Sequence, residues 1–197
     1  MLNQLLKNTS FLSKVGKFYR KNKEEILDII LFGSVVKGKE KPADIDILVL
    51  YKSKVNLDLS YELKKDISDI GEIEIVSKTY SQLLESSFVA REAILNEGYS
   101  LVNKKFIYEG FGHSSFVLFK YDLKNLNKTK RMQFYYSLYG RTGKGLLQEL
   151  DSYKFSENMI LAPISQSEKM KEYLKKWVQF VEIPILMPSR LSEVLKK

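Results

Sequence analysis

The chain has 197 residues, 44% of them hydrophobic, enough for one large or two small domains, and no cysteine, which excludes disulfides and thiolate metal sites. Its single histidine excludes His-based metal clusters, and no apolar run approaches a membrane span, so a cytoplasmic protein without a membrane partner is expected. The net charge of +8 is uneven: residues 1–100 carry 15 basic and 15 acidic side chains, residues 101–197 carry 17 and 9, which points the second half toward an anionic partner.

In chain order, Phe11, Leu12, Val15, Phe18 and Tyr19 recur at helical spacing and predict an amphipathic helix over 10–22. Residues 26–32 read as a strand that ends at Gly33-Ser34 and turns into a helix start. Unpaired N–H groups there would meet phosphate, with glycine allowing close approach and Ser34 adding a hydroxyl. Lys37, Lys39 and Lys41 surround this loop, either as solvated side chains or as a funnel for nucleotide. Asp44-Ile45-Asp46 then opens a second apolar run, 47–50. Residues i and i+2 of a strand share a face, so the two carboxylates stand side by side. Such a pair repels unless a proton or cation relieves it, and Mg²⁺ suits two carboxylates completed by phosphates.

Leu59, Leu63, Ile67 and Ile70 predict a helix over 57–70, closed by Gly71. A third strand, 73–76, sets Glu72 and Glu74 opposite its isoleucines. Helical stretches over 82–86 and 88–96 follow, with Gly98 as the stop. Residues 104–115, including His113 as a satisfied loop residue, read as a linker or edge segment. Then come a strand at 116–121 and a helix at 129–139 with Met132, Tyr135, Tyr136 and Tyr139 on its core face, closed by Gly140. Two strands are expected at 146–150 and 158–164, and Ser165-Gln-Ser-Glu168 reads as a capping box. A helix with Met170, Tyr173, Leu174, Trp177 and Val178 on one face leads to an edge strand, 181–187, marked by Pro184. That order is the split βαβ pattern of ferredoxin-like and RRM-like folds. Gly140-Arg-Thr-Gly-Lys-Gly145 is not a P-loop, since its glycines are too close and Lys144 precedes a glycine.

The stretch 31–50 resembles the signature of the nucleotidyltransferase superfamily, the DNA polymerase beta-like fold, in its minimal form. The resemblance rests on a strand, Gly33-Ser34, a loop, Asp44-Ile-Asp46, and a later carboxylate between apolar neighbours: Glu74, with Glu72 as the other candidate. Ala93-Ile-Leu-Asn-Glu-Gly-Tyr-Ser-Leu-Val102 looks like the closing helix and strand of minimal members, whereas Ala43 stands where the family usually has serine. The implied fold class is α/β (α+β), a mixed sheet with flanking helices over 1–104, followed by a basic βαββαβ accessory domain over 105–197.

The resemblance implies an enzyme that transfers a nucleotide from a nucleoside triphosphate such as ATP to a hydroxyl. Asp44, Asp46 and Glu74 would be catalytic and hold two Mg²⁺ ions, with Mn²⁺ as a substitute, and Gly33, Ser34 and Lys37 would bind the nucleotide. The excess charge favours RNA as acceptor, held by Lys124, Lys128, Lys130, Arg131, Arg141 and Lys144. A toxin–antitoxin or resistance-type transferase acting on a protein or small molecule is the alternative. A non-catalytic nucleic-acid-binding module is the third reading, disfavoured by three intact carboxylates.

Overall fold

Near-continuous apolar runs form β1 (Ile26–Phe32) and β2 (Ile45–Tyr51), the pattern of strands covered on both faces. They are the centre of a five-stranded sheet in the computed structural model of the chain, which describes residues 2–196. Helices α1 (Leu2–Lys7) and α2 (Thr9–Lys21) precede β1. After β2 come α3 (Leu57–Asp66), β3 (Ile73–Thr79), α4 (Tyr80–Leu84) and α5 (Arg91–Glu97). The short elements β4 (Tyr99–Ser100), β5 (Lys105–Phe106) and α6 (Ile107–Gly110) complete the first of two compact units, which divide between Phe111 and Gly112.

The strand order is β3-β2-β1-β4-β5, with β2 and β3 parallel and the other pairs antiparallel. Period 2 divides the core between the two faces. Ile29, Leu31, Ile47 and Val49 pack with Phe11, Val15 and Phe18 of α2 and Leu63 of α3. Ile30, Phe32, Leu48 and Leu50 pack with Leu83 of α4 and Ile94 of α5. Each such fully buried side chain contributes about 1.5–3 kcal/mol. One acid interrupts β1: Asp28, buried, accepts from Ser100 Oγ at 2.8 Å, Asn103 Nδ2 at 3.2 Å and the Ile29 N–H at 2.7 Å, and so ties β1 to the turn after β4. Burial nevertheless raises its pKa, against the lowering by these bonds.

Several local expectations shift. The helix expected over 57–70 ends at Asp66, and a 3-10 turn, Ser68–Ile70, leads to Gly71. Helix α4 starts two residues early because Thr79 and Gln82 form a reciprocal capping box. Within 104–115, Lys105–Phe106 becomes the edge strand β5.

The second unit consists of β6 (His113–Asp122), α7 (Lys128–Tyr139), α8 (Leu146–Glu149), β7 (Tyr153–Ser156), β8 (Met159–Pro163), α9 (Ser167–Lys175), β9 (Gln179–Pro188) and α10 (Ser189–Ser192). Its antiparallel sheet runs β7-β8-β6-β9. Renumbered within the unit that is 2-3-1-4, the ferredoxin-like order the sequence pattern predicts. Strand β9 is an edge, as Pro184 requires.

Three details differ. Residues 146–150 form the helical turn α8 instead of a strand, because Leu147 and Leu150, three apart, are the pair that buries. Ser165 lies in a 3-10 turn, Ile164–Gln166, so the expected capping box does not form; Ser167 Oγ instead donates to the Ile164 carbonyl at 2.8 Å. In α7 the core face is Phe134 and Leu138, while Met132, Tyr135 and Tyr136 point outward. Phenylalanine and leucine have no polar atom to satisfy and take the interior, the exposed Tyr135 and Tyr136 keep theirs near water, and Tyr139 is half-buried with its hydroxyl inside.

Candidate active site

Parallel pairing of β2 with β3 sets Asp46 opposite Glu74, and antiparallel pairing with β1 sets Asp46 opposite Phe32. Asp44 precedes β2 by one residue, two positions from Asp46 and on the same side. One carboxylate oxygen from each of Asp44, Asp46 and Glu74 lies within 4.8 Å of the other two. Glu74 is exposed and the aspartates are half-buried, so the cluster opens to solvent through Glu74. Glu72 lies outside this group; it precedes β3, and its carbonyl accepts the Ile45 N–H at 2.9 Å.

Burial raises the Asp46 pKa, the Asp44 and Glu74 charges raise it further, and Lys37 opposes them. A divalent cation would relieve this repulsion, and an all-oxygen, all-carboxylate donor set fits Mg²⁺ or Mn²⁺. The residues present therefore suit the metal that the sequence implies.

The helix expected after Gly33-Ser34 is a single 3-10 turn, Gly33–Val35. Gly33 has φ +76°, and a Cβ built on it would overlap the Asp46 carboxylate. The position thus requires glycine twice over, for its backbone and for its neighbour. The Gly33 N–H does not face outward to phosphate as the sequence suggests. It donates to Glu97 Oε1 at 3.0 Å, and Lys37 Nζ stands 3.5 Å from Glu97 Oε2. Ser34 and Lys37 remain half-buried on the same loop.

Glu97, at the end of α5, is 5% exposed, and sequence reasoning missed it. Burial raises its pKa, while Lys37 and the Gly33 N–H lower it and Asp46 adds a rise. A signal was present: Glu97 follows the buried Ile94 by three residues, which puts it on the buried stripe of its helix.

The predicted acceptor residues all lie in the second unit, at the two ends of α7. Lys124 precedes the helix and pairs with Asp122 at 3.4 Å. Asn127 caps α7 by accepting the Lys130 N–H at 2.9 Å, and Lys128, Lys130 and Arg131 follow with no acid in the first turn. Cations at a helix N-terminus oppose its dipole, each at a cost of about 0.3–1 kcal/mol. Arg141 and Lys144 lie in the loop after the helix, and the Arg141 guanidinium sits 5.1 Å from the Tyr136 ring centroid. His113 is the first residue of β6, opposite Pro188.

The mixed sheet and its carboxylate cluster define the first unit as a nucleotidyltransferase-type domain. Residues 14–107 match the family model described as Polymerase beta, Nucleotidyltransferase. No curated protein matches the chain. Similar solved structures come from toxin–antitoxin crystals. One holds AMP-PNP and is 26% identical over 46% of this chain and 71% of its own, with a TM-score of 0.36. A second, a mutant MntA-HpeT toxin–antitoxin, is 23% identical over 46% and 70%, with a TM-score of 0.36. A third, tri-AMPylated Shewanella oneidensis HEPN toxin in complex with MNT antitoxin, is 22% identical over 46% and 68%, with a TM-score of 0.33. Among the described residues no helix is long and apolar enough to cross a membrane.

Proposed function

We propose that the first unit transfers a nucleotidyl group from a nucleoside triphosphate to a hydroxyl acceptor at Asp44, Asp46 and Glu74, the new acceptor O–Pα bond replacing the Pα–O bond to the departing pyrophosphate. The observation that carries this reading is the convergence of those three carboxylates at the ends of two paired strands, within the segment that matches the family. Divalent cations bound there would neutralise the triphosphate and lower the pKa of the attacking hydroxyl. Asp46 is held within β2 and Glu74 within β3, with Asp44 one residue before β2, and Glu74 would accept the proton of the acceptor hydroxyl. Ser34 supplies a hydroxyl donor to phosphate, and Lys37 a charge held in place by Glu97. Gly33 acts through shape: it lets the loop pass against Asp46.

The acceptor we propose is RNA, on the strength of the charge confined to residues 101–197. A protein hydroxyl is the other class. The test incubates the chain with each α-labelled nucleoside triphosphate, Mg²⁺, total RNA and cell protein. Label on RNA that disappears with Asp46→Ala supports the full reading. Label on protein keeps the transfer and replaces the acceptor; no label on any acceptor overturns the transfer.

A further inference from the structure

The face of α7 that the core rejects has a cleft beside it. Tyr135, Tyr136 and Tyr139 line this cleft with Gly140, Lys154 of β7 and Glu157, around a volume of about 570 Å³. That volume lies within the usual range for a small-ligand site. The Tyr135 and Tyr139 rings stack at 27° with centroids 5.8 Å apart. The Lys154 ammonium stands 5.7 Å from the Tyr139 centroid, and the Arg141 guanidinium 5.1 Å from that of Tyr136. Rings and cations therefore already pair: Tyr136 and Arg141 are both exposed, and Lys154 is exposed over a half-buried Tyr139, with Tyr135 exposed beside it.

We infer that this cleft binds an unpaired base of single-stranded RNA, stacked on the tyrosines, with Arg141 and Lys154 on its flanking phosphates. Aromatic platforms edged by cations are the physical means by which single strands are held without sequence choice, since every base has a π-face. A phosphate arriving with the base would draw the two cations off the ring faces and leave those faces to the base. Charge complementarity favours a polyanion over a peptide: Glu157 is the single acid among the lining residues, and Lys128 and Arg131 continue the cationic track at the other end of α7. At 1.5 Å per residue, Lys128 and Tyr139, eleven residues apart and on the same face of the helix, are separated by about 16 Å along it, a span that about three extended nucleotides cover.

The inference rests on RNA being the acceptor, but it can be tested without transfer. Fluorescence anisotropy of the full chain with a labelled mixed-sequence single-stranded RNA, in EDTA at low salt, reads binding alone. The expected result is a Kd that rises roughly tenfold in Tyr136→Ala and in Tyr135→Ala and stays near the parent value in Tyr136→Phe. Arg141→Ala with Lys154→Ala should flatten the log–log salt slope by about 1.4, at about 0.7 per contact. Circular dichroism and the thermal midpoint verify that each variant is folded. RNA binding that survives Asp46→Ala while transfer is lost supports the cleft and the transfer separately. Three outcomes overturn the cleft: no RNA binding by the parent, a Kd indifferent to Tyr135→Ala, Tyr136→Ala and the Arg141→Ala/Lys154→Ala pair, or full competition by free ATP, which would make the ligand a mononucleotide. RNA bound through the cleft with no transfer to any acceptor would leave this inference standing and end the catalytic one.

Discussion

Glu97 accepts the Gly33 N–H at 3.0 Å and, through its other oxygen, stands 3.5 Å from Lys37 Nζ. One buried carboxylate thus holds both the turn after β1 and the lysine beside it. The two substitutions Glu97→Gln and Glu97→Ala separate these tasks. Glutamine keeps an acceptor for Gly33 but drops the charge, so triphosphate should bind at least as tightly, with Lys37 no longer neutralised. Alanine leaves the Gly33 N–H without its partner, which should lower stability by about 1–3 kcal/mol and weaken triphosphate binding. Calorimetric titration with a non-hydrolysable triphosphate, alongside chemical denaturation, checks both. Equal damage from the two variants would mean that charge, not the hydrogen bond, organises the turn.

The raised pKa of Asp46 makes a prediction about pH. Burial and the neighbouring Asp44 and Glu74 charges favour its protonated form in the folded chain, so the metal-free protein binds this proton more tightly than the unfolded chain does. Stability from this group is then complete below the ordinary carboxylate range and is lost as pH rises through the raised value. Asp46→Asn should accordingly have a higher metal-free Tm than the parent at pH 7, a difference that closes on acidification. Mg²⁺ at pH 7 should raise the parent Tm and leave the variant nearly unchanged. A thermal scan over pH, with and without Mg²⁺, decides it; a variant less stable than the parent at pH 7 would mean that Asp46 is not under repulsion.

Much of the first unit was legible because its signals are local and periodic. The apolar runs of β1 and β2, the Asp44/Asp46 spacing and the alternation around Glu74 each fix which face a side chain takes, and pairing in register does the rest. Glu97 was not, since an acid at the end of an amphipathic helix looks like a solvated side chain until its partners are known. Gly33 is expected from the sequence to meet phosphate, whereas its positive φ, its approach to Asp46 and its inward N–H give the position a separate need for glycine. In the second unit, the aromatics of α7 spread over about half of its circumference, so periodicity alone could not choose between Phe134/Leu138 and the tyrosines. Phe134 and Leu138, with no polar atom, take the core, and Tyr135, Tyr136 and Tyr139 line a cleft beside it.

Glu72 and Glu74 lie one strand period apart, but Glu74 alone stands opposite Asp46 and within the carboxylate cluster. Glu74→Ala should therefore lower transfer by about 10³-fold, near 4 kcal/mol of transition-state stabilisation. Glu72→Ala should change it less than threefold, in keeping with about 0.5 kcal/mol for an exposed side chain outside the site. Single-turnover assays on both variants give the comparison. Equal loss would indicate that β3 shifts register when substrate binds.

Gly33→Ala combines two penalties that can be measured separately. A φ of +76° costs a non-glycine residue about 1–2 kcal/mol, whatever surrounds it. The added Cβ would also overlap the Asp46 carboxylate, forcing it off its rotamer and out of the cluster. Only the second penalty depends on Asp46. In a double-mutant cycle, Gly33→Ala should thus destabilise less in an Asp46→Ala background than in the parent, with a coupling of about 0.5–3 kcal/mol. Strict additivity would show that the turn relaxes away from β2 and that the overlap is never felt. In the parent background Gly33→Ala should also abolish the Mg²⁺-induced rise in Tm, because the displaced carboxylate no longer meets Asp44 and Glu74. A variant that loses stability yet keeps its full Mg²⁺ response would separate the strained backbone from the metal site.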